Sequence, residues 1–205
     1  MANQVLYQML KWGAVAPLFR TYFRGHLYGG KNVPVDGPLL VVSNHASYFD
    51  PPFLSACVRR PVAYMAKKEL FDIPLLGFAI QVYGAYPVSR GTGDRAAIRA
   101  ALERLDDGWA VGVFLQGTRT PDARIPDPKL GAALIAAKAQ VPMLPASLWG
   151  TQHILSPGKP TPRPVPVTVR IGNPIPPPGS SDREELMAIT QRCADEIHAL
   201  HDLGR

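Results

Sequence analysis

The residues best suited to chemistry sit in the run Ser43-Asn-His-Ala-Ser-Tyr-Phe-Asp50-Pro-Pro52. A neutral imidazole accepts a proton near neutral pH, and a carboxylate bonded to its other nitrogen fixes the tautomer that leaves the accepting nitrogen free. His45 and Asp50 are five positions apart, whereas neighbours on a helix face are three or four apart, so a loop has to fold them together. The pair would then be a general base without a nucleophile of its own, suited to activating a hydroxyl that arrives with a substrate. The same residues also have a structural reading. Asp50 before Pro51 matches a helix N-cap and first helical position, and a loop histidine can simply bond to backbone.

Three further clusters carry groups for an anion. Phe114-Leu-Gln-Gly-Thr-Arg-Thr120 offers backbone N–H groups and the guanidinium of Arg119 to a phosphate, or is an ordinary solvated turn. It is not a Walker loop, because the Gly-Lys-Ser/Thr ending is missing. Gly84-Ala-Tyr-Pro-Val-Ser-Arg90 ends in a second arginine, and Lys67-Lys68 follows an apolar run. Each cluster follows a segment of strand character, which predicts one basic rim with a histidine in it and an anionic substrate.

Those strands are short apolar runs at 38–43, 62–66, 85–88, 110–115, 142–147 and 165–171. The prolines around the last make it an edge strand. Between them lie helical patterns: a short helix from Pro51 to about Val58, and one at 94–107 with Ile98, Ala101, Leu102 and Leu105 in phase, started by Gly93 and Asp94 and stopped by Gly108. The final helix opens on a capping box, Ser181 and Glu184, and continues with Leu186, Ile189, Cys193, Ile197 and Leu200 in phase. Strands alternating with helices predict an α/β fold: a single domain with a mixed, partly parallel central sheet flanked by helices.

Ahead of this domain, Val5, Met9, Trp12, Ala16, Phe19 and Phe23 fall on one face of a helix that Pro17 kinks or splits. With Lys11, Arg20 and Arg24 beside that face, it reads either as an amphipathic helix in a lipid headgroup layer or as a helix packed on the core. The expected organisation is a membrane-associating segment over 1–28 and a catalytic α/β domain over 29–205. The net charge of +6 favours an anionic partner. The charge is scattered and no recognition motif appears, which argues against nucleic acid. No apolar run reaches spanning length, no secretory signal is evident, and Cys57 and Cys193 are in neither metal-ligand nor redox-motif spacing. The expected location is cytoplasmic, peripheral on the cytoplasmic face of a membrane, with no metal.

Taken in order, these segments resemble the lysophosphatidic acid acyltransferase (1-acyl-sn-glycerol-3-phosphate acyltransferase) family. Its His-four residues-Asp block is Asn44-His45-Ala-Ser-Tyr-Phe-Asp50, and its Ala-Lys-Lys-Glu-Leu-Phe block is Ala66–Phe71, followed by Ile73-Pro74 and Gly77. Its second motif is similar to Gly84–Arg90, its third to Phe114–Arg119 and its fourth to Val141-Pro-Met-Leu-Pro145. The resemblance implies transfer of a fatty acyl group from acyl-CoA or acyl carrier protein to the sn-2 hydroxyl of 1-acyl-sn-glycerol-3-phosphate, with no cofactor. It implies that His45 is the base and Asp50 its orienting partner. Substrate binding would fall to Asn44, Lys68, Arg90, Gln116, Gly117, Thr118 and Arg119, beside an anionic membrane surface.

The third motif departs from the family pattern: Gln116 stands for a glutamate and Leu115 for the proline before it. An amide keeps hydrogen bonding and loses charge. Either the acceptor is a different lyso-lipid or the site tolerates the amide. A membrane-surface lipid-binding module without turnover is the alternative of another class.

Overall fold

The β2 segment explains the architecture best. Leu40–Ser43 is apolar without alternation, and all four residues are buried, as expected of a strand covered on both faces. In the computed structural model, which describes residues 2–88, 94–156 and 161–205, seven strands form one sheet in the order β1-β7-β6-β2-β5-β3-β4. They are β1 (His26–Tyr28), β2 (Leu40–Ser43), β3 (Val62–Lys67), β4 (Tyr86–Val88), β5 (Ala110–Phe114), β6 (Met143–Trp149) and β7 (Thr168–Ile171). Every pairing is parallel except that of β6 with β7. The fold is therefore the expected single-sheet α/β arrangement, mixed and mostly parallel.

Adjacent residues of β2 point into different cores. Leu40 and Val42 join Ile98, Ala101, Ile135, Cys193 and Ile197, from α5 (Asp94–Asp106), α6 (Gly131–Ala139) and α7 (Arg183–Asp202). Leu39 and Val41 join Phe53 and Leu54 of α3 (Asp50–Cys57), with Phe19 and Phe23. Two helical layers thus cover the sheet, and truncating a side chain as enclosed as Phe23 would cost about 3–5 kcal/mol.

The N-terminal stripe divides instead of continuing. After α1 (Ala2–Leu10) the chain makes a π-helical stretch, Lys11–Val15, before α2 (Ala16–Arg20), with Pro17 in its first turn. A wider π turn rotates the next helical segment by roughly one residue, about 100°, relative to a regular helix. Val5, Met9 and Trp12 accordingly face outward, while Ala16, Phe19 and Phe23 are buried. Lys11 is not a headgroup residue here. Its side chain is fully buried, its ammonium donates to the carbonyl of Val58, and burial pushes its pKa down to about 8.

Three other expectations change. β7 is internal, between β6 and β1, and the edge is β1, whose residues alternate too little to read as a strand. The sheet therefore begins before residue 29, inside the segment taken as a separate N-terminal piece. The cap of α7 is shifted by one residue: Asp182 is the N-cap, and the Glu185 carboxylate accepts from the N–H groups of Gly179 and Ser180 and the Ser180 hydroxyl. The Ser180 hydroxyl contributes most to holding Glu185 below the usual carboxylate range.

Candidate active site

Because β2, β5 and β3 run parallel as neighbours, the polar clusters that follow these three strands leave the sheet at the same carboxyl edge. Arg90 lies outside the described residues. The loop after β2 turns sharply enough that His45 Nδ1 reaches Asp50 Oδ2 at 2.8 Å. The same oxygen accepts the N–H groups of Ala46 at 2.6 Å and Ser47 at 2.7 Å. Asp50 is the first residue of α3, yet its carboxylate closes the preceding loop and makes no side-chain cap on its own helix. A carboxylate can only accept, so Nδ1 carries the imidazole proton and Nε2 presents a lone pair. No described residue bonds to that nitrogen, and His45 keeps partial exposure while Asp50 is fully enclosed. An oriented base with an open accepting face is the result.

The ring plane is set from below. Phe114, the last residue of β5 and in register with Ser43 of β2, stacks on His45 with ring centres 3.9 Å apart and planes 12° from parallel. Tyr64 of β3 stacks on Phe114 at 5.7 Å. Gly112 makes this possible, since a Cβ there would lie 2.1 Å from the Tyr64 ring. Phe114 opened the cluster after β5 in the sequence but was given no role there, and Tyr64 did not stand out at all. The glycine inside a strand was the available signal, because such a glycine marks a place where something approaches the backbone closely.

Two residues expected to touch substrate hold the loop instead. Asn44 is buried, and its amide donates to the carbonyls of Ala123 and Leu148 while its oxygen accepts from Leu148 N–H, all at 2.8–2.9 Å. These bonds tie the ends of β2 and β6 to the loop after β5 and use the side chain completely. Gln116 is 5% exposed, and its Nε2 donates to the carbonyl of His45 at 2.9 Å. Weaker contacts run to Thr120 Oγ1 at 3.3 Å and the Arg124 carbonyl at 3.5 Å. Thr120 N–H donates to the same His45 carbonyl, also at 2.9 Å. Carbonyls only accept, so the amide orientation of Gln116 is fixed by its partners.

The next three residues face outward. Gly117 takes φ +69°, which opens the turn at a conformation that L side chains rarely adopt, and Thr118 and Arg119 are exposed beyond it. Arg119 lies over Tyr48, its guanidinium carbon 3.6 Å from the ring centre, and Nη2 donates to the tyrosine hydroxyl at 2.9 Å. Tyr48 belongs to the His45–Asp50 loop, so it joins the cation to the base. Lys68 is placed elsewhere: it is exposed and lines a cleft of about 290 Å³ with Phe71, Gly84, Arg104 and Trp109, none of them in the His45 loop.

Known proteins share this arrangement of segments. The family model described as Acyltransferase matches residues 24–149, a span that includes the whole loop after β2 and the turn after β5. A chloroplastic 1-acyl-sn-glycerol-3-phosphate acyltransferase of Brassica napus is 32% identical over 140 residues, covering 67% of this chain and 40% of that protein. The 1-acyl-sn-glycerol-3-phosphate acyltransferase of Bacillus subtilis is 32% identical over 125 residues, covering 60% of this chain and 62% of its own length. The chain thus spans less than two thirds of each of these two relatives. The crystal structure of the 1-acyl-sn-glycerophosphate acyltransferase of Thermotoga maritima superposes with a TM-score of 0.72 at 32% identity, over 96% of this chain and 80% of that one.

Proposed function

Because the chain belongs to the Acyltransferase family, we propose that it transfers a fatty acyl group from a thioester donor to the free hydroxyl of 1-acyl-sn-glycerol-3-phosphate, giving phosphatidic acid. The observation that carries the reading is the His45–Asp50 contact of 2.8 Å with Nε2 left open. The acceptor hydroxyl attacks the thioester carbonyl while Nε2 takes its proton. The carbon–sulfur bond then breaks, and the proton on His45 leaves with the thiolate as free thiol. The balance needs no serine nucleophile and no bound cofactor. Asp50 keeps the proton on Nδ1 and stabilises the imidazolium that forms between the two transfers. Arg119 is the cation for the acceptor phosphate, with Gly117 and Thr118 lining the same turn.

Acyl-CoA and acyl carrier protein both fit as donors. The acceptor lives in a membrane, and among the described residues no helix is long and apolar enough to cross one. Contact at the surface is proposed through Val5 and Met9 of α1 and Trp12 of the π-helical stretch that follows it.

The test is thiol release with lysophosphatidic acid and acyl-CoA or acyl carrier protein. His45→Ala should lower kcat by about 10²–10⁴-fold in a chain that still folds cooperatively. A variant that retains wild-type turnover would refute the base assignment. Equal rates on acceptors with and without the phosphate would remove Arg119 from its role.

A further inference from the structure

A second apolar projection stands on α4 (Pro74–Val82), a helix that packs beside α1. Its start exposes four large side chains together: Ile73 at 49%, Leu75 at 83%, Leu76 at 40% and Phe78 at 61%. Scattered apolar residues on a surface are ordinary, but four within six positions form a contiguous shoulder. The shoulder is built, not frayed. Gly77 is buried against the carbonyl of Phe71, where a Cβ would meet the oxygen at 2.3 Å, and its N–H donates to the carbonyl of Ile73. That closure leaves the apolar side chains of the turn no inward direction.

Position and charge indicate what covers it. The segment follows β3, so it leaves the sheet at the same carboxyl edge as His45, two strand spacings or roughly 10 Å across from β2. Exposed Lys67 and Lys68 precede it, with the equally exposed Glu69 and Asp72 between them and Ile73. Val5 and Met9 of α1, and Trp12 just after it, are exposed as well, and Tyr7, in contact with Tyr83 at 4.9 Å between ring centres, fastens α1 to the end of α4. Exposed apolar side chains on a chain of net charge +6 match the acyl boundary and anionic headgroups of a bilayer. We infer that the start of α4 is a second membrane-docking element, which seats the carboxyl edge of the sheet, and with it His45, against the lipid surface. This rests on the proposed lipid substrate, but its test needs no turnover.

Binding of the full chain to vesicles of phosphatidylcholine and phosphatidylglycerol should fall by about tenfold or more in Leu75→Gln/Phe78→Gln, since a fully buried side chain of this size is worth a factor of that order. Lys67→Gln/Lys68→Gln should bind less and lose part of its salt dependence. Cys57 and Cys193 are buried, so a Leu75→Cys variant can be labelled selectively with an environment-sensitive dye. Its emission should shift to the blue on adding vesicles and be quenched by a quencher carried in the acyl chains. Unchanged vesicle binding in the double variant, or a dye that stays in water, overturns the inference. So does a self-associated wild type that the same substitutions make monomeric, because the shoulder is then covered by a second copy. A wild type that binds vesicles through α4 yet releases no thiol would count against the proposed activity and leave the docking intact.

Discussion

The loop after β2 and the turn after β5 meet at one edge of the sheet, yet they are held in opposite ways. Around His45 the hydrogen bonds converge: one carboxylate oxygen of Asp50 accepts three bonds, and the His45 carbonyl takes donors from Gln116 and Thr120. Asn44 spans to strand β6 and to the loop after β5. Across from it, Thr118 and Arg119 are exposed, and the described anchor of the Arg119 side chain is Tyr48. A proton acceptor has to hold its tautomer and angle before substrate arrives, because misplacement lowers the rate. A cation that grips a phosphate can complete its geometry on the ligand. Changes in the first region should therefore appear in kcat and changes in the second in KM.

The strongest attack on the ordered side, after removal of the base itself, is Asp50→Asn. The amide oxygen would take the place of Oδ2 and still accept from Nδ1, but without the negative charge that stabilises the imidazolium formed during transfer. It would also weaken the bonds to Ala46 and Ser47 N–H. A loss of kcat of about 10²-fold or more is expected, with a stability loss of about 1.5–3 kcal/mol for the charged hydrogen bonds. Urea unfolding beside the rate measurement separates the two. A rate within a few-fold of wild type would show that Asp50 serves only the backbone.

A sharper test is Gln116→Glu, which restores the residue type of the family motif. The amide here donates to the carbonyl of His45, and a carboxylate in the same place would set negative charge against that oxygen. Turnover should fall about tenfold near neutral pH, with KM for the acceptor nearly unchanged. Only the protonated acid could donate in place of the amide, so the rate of the variant relative to wild type should rise as pH falls and the introduced carboxyl takes up its proton. A variant faster than wild type across the range would mean that position 116 reads the acceptor and not the loop.

On the open side, Arg119→Ala should raise KM for a phosphate-bearing acceptor by roughly tenfold, as expected for a lost charged hydrogen bond. It should leave kcat at saturation within about threefold and the melting temperature unchanged. A fall in kcat at constant KM would move Arg119 into the transition state and erase the contrast.

What could be read in advance divides along the same line. The central strand was legible because burial on both faces writes a continuous apolar run, as in Leu40–Val42. The His45–Asp50 partnership was legible because a base needs its orienting acid, and here the two lie close in the chain. Roles that depend on direction were not. Gln116 and Asn44 were placed in the site, but whether an amide faces substrate or backbone is decided by which carbonyls the fold brings near, here those of residues 45, 123 and 148. The burial of Lys11 was hidden for another reason: a π turn has no residue signature, and without it the stripe from Val5 to Phe23 reads as one face. β1 went unseen because His26–Tyr28 is exposed and made a strand only by pairing with β7, whose register partners begin at Thr168.

The smallest effect concerns the side chain that joins Arg119 to the ordered loop. Tyr48 sits in the ordered loop, but its ring and hydroxyl serve Arg119. An exposed cation–π contact is worth about 0.5–1 kcal/mol. Tyr48→Leu should therefore raise KM for the acceptor only about two- to fivefold, and Tyr48→Phe, which keeps the ring and loses the hydroxyl, should do less. Combining Tyr48→Leu with Arg119→Ala should add almost nothing to the arginine change, because the tyrosine acts through that guanidinium. If the double variant instead loses kcat, Tyr48 is bracing the turn that carries His45, and the two regions are mechanically one.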